Sequence, residues 1–147
     1  MIKKALRQFT VKRLREPVDK QLDEDIEWIC NSLGFLSSRD QDKTAFRIFK
    51  ALIESAKDGT GLTSEELTEF VEPTIGSVHY HLKKLMRAGL VVKLGSAYEL
   101  RMNSLRKTIE EIERDIHRTL ADIKRIAGDI DNQVGLEHRQ KDMRISN

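Results

Sequence analysis

The chain has 147 residues, 39% of them hydrophobic and 34% charged, with a net charge of +2. Globular domains carry roughly 45–50% apolar and about 25% charged residues, so this balance predicts one surface-rich domain with extensions and long exposed helices. The longest apolar runs fall far below the roughly 18 residues that cross a bilayer, the N-terminus has no apolar signal stretch, and the lone Cys30 excludes an intrachain disulfide. A cytoplasmic protein with no membrane partner is expected.

Charge is unevenly distributed. Residues 1–15 hold Lys3, Lys4, Arg7, Lys12, Arg13 and Arg15 with no acid, and acids dominate from Glu16 to Glu27. Residues 74–101 turn basic again through Lys83, Lys84, Arg87, Lys93 and Arg101, against Glu99. Two basic patches around an acidic stretch point to one face for a polyanion and another for a different partner. The arm, residues 1–17, reads either as a solvated terminus or as a segment that contacts the polyanion or swaps onto a partner.

Pro17 opens an N-terminal helical segment, residues 18–36. Its apolar positions Val18, Leu22, Ile26, Ile29 and Leu33 recur at helical spacing, and Gly34 closes it. Trp28 reads as an interface or core anchor, and Cys30 as a small buried hydrophobe. A second helix is expected from Asp40-Gln41-Asp42, whose short side chains suit the free amides of a first turn. It buries Ala45, Phe46, Phe49, Leu52, Ile53 and Ala56 and stops at Gly59. Thr63-Ser64-Glu65-Glu66 is a capping box opening a short third helix with core residues Leu67, Phe70 and Val71.

A turn at Glu72-Pro73 separates this from a fourth helix, capped by Thr74 and running from Ile75 to Arg87. Val78, Leu82, Leu85 and Met86 face inward, and Ala88-Gly89 ends it. Leu90–Leu94 and Ala97–Leu100 are β-rich runs joined by Gly95-Ser96, a two-residue hairpin turn. From Asn103 the pattern becomes one long helix. Leu105, Ile109, Ile112, Ile116, Leu120, Ile123, Ile126 and Ile130 form a stripe with charged residues on the other faces. At about 1.5 Å per residue this helix would reach roughly 40 Å, more than a small domain covers. Its stripe must meet the 18–33 helix, a second copy, or both. Residues 135–147 read as a polar, fraying tail.

Two helices across a tight turn, followed by a hairpin, is the order of a winged helix-turn-helix. The fold expected is mainly α with a small β-hairpin wing, the DNA-binding domain spanning 40–102 and a dimerisation helix spanning 103–134. Helix 75–87 would enter the major groove, with the wing, 90–101, on the backbone. Gly76 lets the backbone approach closely. Ser77, His79 and Tyr80 can hydrogen-bond bases or phosphate, and Ile75 can touch a thymine methyl. Lys83, Lys84 and Lys93 supply phosphate contacts, and Thr74 and Arg101 complete the expected DNA-binding set.

The segment Thr74-Ile75-Gly76-Ser77-Val78-His79-Tyr80-His81-Leu82-Lys83-Lys84-Leu85-Met86-Arg87-Ala88-Gly89-Leu90-Val91 resembles the recognition helix of ArsR-like transcriptional regulators. Val78, His81-Leu82, Leu85 and Ala88-Gly89-Leu90-Val91 match the family pattern V-x-x-H-L, then L-x-x-A-G-L-V. The resemblance covers about residues 40–102, and the long C-terminal helix looks like that of archaeal members. It implies a winged helix and double-stranded DNA as the partner. Two-fold DNA readers usually dimerise, so a homodimer on an inverted-repeat operator is expected. Metal sensing is not carried over: Ser64–Val71 holds no cysteine, Cys30 is alone, and His117 has only Glu113 one turn away. His79 and His81 point about 200° apart on a helix, so they are not joint ligands. His81 reads as a half-buried structural residue.

The expected dimer interface combines Leu22, Ile26 and Ile29 with the stripe from Leu105 to Ile130. No cofactor or metal is expected. There is no phosphate-binding glycine loop and no nucleophile with an identifiable base, so an enzyme is not expected. The readings that compete with a sequence-specific homodimeric regulator are a winged-helix protein-interaction module and an architectural DNA-binding protein without effector.

Overall fold

The structure, a computed structural model, describes residues 6–36, 43–71 and 74–136. Among them are five helices and three short strands: α1 Leu22–Ser32, α2 Thr44–Ala56, β1 Leu62–Thr63, α3 Ser64–Val71, α4 Ile75–Arg87, β2 Val91–Leu94, β3 Ala97–Leu100 and α5 Leu105–Val134. The sheet is antiparallel with order β1-β3-β2. This is a winged helix-turn-helix with a long C-terminal helix. None of the described helices is long and apolar enough to cross a membrane.

The chain divides into two compact units at Ile112/Glu113, part-way along α5. In the first unit α2 is central. Its Ile48, Phe49 and Leu52 are fully buried with Leu67 of α3, Val78, Leu82 and Leu85 of α4, and Leu90 and Val91 at the start of the wing. Each such side chain contributes about 1.5–3 kcal/mol on leaving water. The inward residues of α4 thus fix which of its faces looks out. In the second unit, α5 continues as a charged helix on which Arg118 pairs with Asp115 one turn back.

The capping box at α3 forms as expected. The Thr63 amide donates to Glu66 Oε1 at 3.2 Å, and the Glu66 amide donates to Thr63 Oγ1 at 3.1 Å. The hairpin also forms, with Leu94 opposite Ala97 across the Gly95-Ser96 turn. The third strand, β1, was not expected. Leu62 and Thr63 pair with Tyr98 and Ala97. Gly61 makes that pairing possible, since a Cβ there would lie 2.6 Å from Glu99 Cγ and 2.7 Å from the Tyr98 carbonyl.

Several expectations are corrected. Val18 lies outside α1, 91% exposed, because the helix starts only at Leu22. Its spacing from Leu22 continues the periodic pattern without any helix there. Phe70 is 65% exposed and not core, since α3 ends one residue later and turns Ser64, Leu67 and Val71 inward. Helix α2 starts at Thr44. Its N-cap residue is Lys43, in a left-handed conformation with φ +53° and no side-chain cap, and Lys43 Nζ instead meets Glu27 at 2.6 Å. The Asp40-Gln41-Asp42 cap, the Glu72-Pro73 turn, Lys3, Lys4 and the tail from Glu137 onward lie outside the described residues.

The arm is the largest departure. From Leu6 onward it lies along its own chain. The Lys12 amide donates to the Ser32 carbonyl at 2.7 Å, and Trp28 Nε1 donates to the Arg15 carbonyl at 2.9 Å. Thr10 packs so closely on Gly34 that a Cβ there would come within 2.8 Å of it. Trp28 is therefore an anchor for the arm. Cys30 is fully buried, and desolvation, reinforced by the nearby Glu27 charge, pushes its thiol up to about 12.

Candidate nucleic-acid interface

Helix α4 is fixed at both ends by local chemistry. At its start Thr74 has extended backbone, and its Oγ1 accepts from the Ser77 amide at 3.3 Å. The amides of Ile75 and Gly76 have no acceptor within the helix and point along the axis with the positive end of its dipole. At the other end Gly89 turns left-handed at φ +86°, and the Leu90 amide closes the helix on the Leu85 carbonyl at 3.1 Å. The arm caps two further carbonyls. Arg7 Nη1 donates to Met86 at 2.8 Å, and the Gln8 amide donates to Arg87 at 3.1 Å.

Successive residues turn about 100° around a helix. Gly76, His79, Tyr80, Lys83 and Arg87 therefore fall within one wedge of about 100°, opposite Val78, Leu82 and Leu85. Thr74, Ile75, Gly76, Tyr80 and Lys83 are exposed, while Ser77, His79 and Lys84 are half-buried. The thirteen residues of α4 include Lys83, Lys84 and Arg87 but no carboxylate. Lys84 Nζ sits 5.4 Å from the centre of the Tyr80 ring, and the Tyr80 ring meets the His81 ring edge-on at 5.2 Å. His81 is half-buried, as expected of a structural residue.

Gly76 needs no special conformation and leaves space around it. Among the described residues, a Cβ there would meet only Thr74 Oγ1, at 3.9 Å. Nothing among the described residues demands a glycine at this place. In the wing, Lys93 is exposed on β2 with its ammonium 5.5 Å from the Tyr98 ring.

With the helices, wing and outward face of α4 in place, comparison with known proteins becomes informative. Residues 41–93 match the family model of a helix-turn-helix domain. The match runs from the start of α2 into β2 and so contains all of α3 and α4. No curated protein and no solved structure matches the chain.

Some expected site residues belong elsewhere. Arg101 lies past β3, half-buried, with its guanidinium 3.8 Å from Glu111 of α5 and its amide on the Leu90 carbonyl at 2.9 Å. Its charge therefore has a carboxylate of the same fold beside it. Ile26 and Ile112, at 3% and 5% exposure, are core residues of this chain. A heptad reading treats the whole stripe as one seam, but its first turns belong to the first unit. Ile29, Leu105, Ile109 and Ile116 are half-buried, whereas Leu22, Leu120, Ile123, Ile126 and Ile130 are exposed.

Sequence reasoning passed over Arg87 as a site residue. Its signal was present, because Tyr80, Lys83, Lys84 and Arg87 step by three and four along one face. Gln8 and Thr10 carried no such signal: the Gln8 amide docks on the Arg87 carbonyl, and Thr10 packs on Gly34. Among the described residues there is no group of three or more histidines, cysteines or acids placed to hold a metal.

Proposed function

We propose that the chain is a sequence-specific DNA-binding transcription regulator of ArsR-like type that acts as a homodimer. The observation that carries this reading is the outward face of α4, where polar and aromatic side chains share a wedge with cations and no acid is present. In this reading α4 lies in the major groove. Ser77, His79 and Tyr80 meet base edges, and Ile75 offers apolar contact to a thymine methyl. Thr74, Lys83, Lys84 and Lys93 hold the phosphate backbone, while Gly76 lets the helix start approach closely. The free amides of the first turn favour a phosphate there.

The exposed Leu120, Ile123, Ile126 and Ile130 form the seam between two copies, which would set two recognition helices on half-sites of an inverted repeat. The half-buried part of the stripe can add to that seam at its margin, while Ile26 and Ile112 take no part.

Selection of bound sequences from random duplex DNA at two salt concentrations tests the reading. An inverted repeat that survives the higher salt is the expected result. Salt-labile binding without a motif would mean an architectural protein, because phosphate contacts alone carry no sequence information. No binding at low salt would overturn the assignment of α4 and leave the wing as a protein-docking surface.

A further inference from the structure

The arm, the end of α1 and the C-terminal half of α4 surround a cleft of about 350 Å³. Small-molecule sites range over roughly 300–1,000 Å³, so this one suits a compact ligand. Gln8 and Thr10 line it from the arm and offer neutral hydrogen-bonding groups. Phe35, itself buried, contributes apolar surface. From α4 come the Tyr80 ring and three cations, Lys83, Lys84 and Arg87.

Among the described residues that line it there is no carboxylate. Neither Lys83 nor Arg87 has an ion-pair partner among the described residues. Lys84, among the described residues, meets the face of Tyr80. Three like charges converging on one cleft repel each other, and an anion between them removes that repulsion while gaining charge-assisted hydrogen bonds. The aromatic and apolar walls favour a flat body behind the charge. The cleft is also built in advance, since hydrogen bonds from Arg7, Gln8 and Lys12 hold the arm that forms one wall.

We propose that this cleft binds a small aromatic anion of one or two rings, and that its occupant competes with DNA phosphate for Lys83 and Lys84. The competition rests on the reading of α4 as the DNA-contacting helix, whereas the cleft itself does not. Binding at this place ties the affinity of the recognition helix for DNA to the concentration of a small molecule. That is a means of induction which requires no change of fold.

Titration of the isotopically labelled full chain with naphthoate, followed by amide chemical shifts, tests the site. Naphthamide, neutral and of nearly the same shape, is the control. Saturable shifts at Gln8, Thr10, Gly34 and Arg87 are expected for naphthoate, with the amide weaker by about tenfold or more, as loss of charged hydrogen bonds requires. Arg87→Gln should weaken naphthoate about fivefold or more with the thermal melt unchanged. Should that variant fold poorly, the comparison of the two compounds on the native chain decides alone.

Equal binding of both compounds, or shifts confined to the exposed stripe of α5, would overturn the site. Displacement of naphthoate by a duplex that the chain binds supports the competition. Charge-dependent binding undisturbed by such a duplex would refute the competition. Failure to bind any duplex, read separately by anisotropy, would count against the DNA reading and leave the cleft standing.

Discussion

Replacing Gly76 by Ala separates what the fold needs from what a DNA contact needs. The new Cβ has only Thr74 Oγ1 within reach, at 3.9 Å, an ordinary van der Waals distance. The backbone is helical there, so alanine should stabilise the protein by about 0.4–1 kcal/mol, chiefly through reduced freedom of the unfolded chain. For a domain of this size that is a rise of about 1–4 °C in melting temperature. The same methyl faces outward from the first turn of α4, where a groove would lie. Overpacking a close contact costs about 1–3 kcal/mol, or about 5- to 150-fold in affinity for each half-site. Denaturant melts at fixed protein concentration, with anisotropy titrations on a selected duplex at fixed salt, read both quantities. Higher stability with weaker DNA binding is expected. Higher stability with unchanged affinity for a specific site would refute the close approach of the α4 start, and lower stability would refute the local geometry itself.

Lys83→Ala should weaken binding to all sequences and lower the slope of log affinity against log salt by about one unit per site, the loss of one phosphate contact. An unchanged slope would remove Lys83 from the interface. Replacing Ile123 and Ile126 together by polar residues should convert a dimer to a monomer in sedimentation without loss of helicity, and a persisting dimer would place the seam elsewhere. Cys30 should resist thiol reagents at pH 8 in the folded state and react at the rate of unfolding, so fast stoichiometric labelling would contradict its burial. Because its folded pKa is raised from 9.0 to about 12, its contribution to stability is intact below pH 9 and is lost as pH climbs towards 12. A denaturation midpoint that falls over that interval less steeply in Cys30→Ala would bear this out, and parallel curves would not.

The parts legible in the sequence were those encoded by neighbours in the chain. Thr74 caps Ser77, Thr63 and Glu66 cap each other, and Leu90 closes α4 after Gly89. Each reaches only a few residues, so residue type and spacing suffice to find it. Strand β1 was not legible because two residues have no period, and its pairing depends on Gly61 meeting a strand far along the chain. The docking of the arm was invisible for a related reason: beside the Arg7 and Trp28 side chains it is held by the amides of Gln8 and Lys12, and all the acceptors are backbone carbonyls, which carry no residue-type signal. Arg101 looked like any basic residue beside a wing until Glu111 met it. In the stripe of α5, periodicity located the apolar face correctly, but only burial distinguishes Ile112 from the exposed Ile123.

The hydrogen bond from Arg7 to Met86 joins residues 79 apart in sequence. During synthesis at typical rates the arm precedes its acceptors by on the order of ten seconds. Until the carbonyls of Met86 and Arg87 exist, Arg7 and Gln8 have nowhere to dock, and closing so long a loop costs entropy that only the assembled helices repay. The arm should therefore settle after the helical core has formed. A chain truncated before Met86 would keep that segment open to proteases, whereas the full chain would close it.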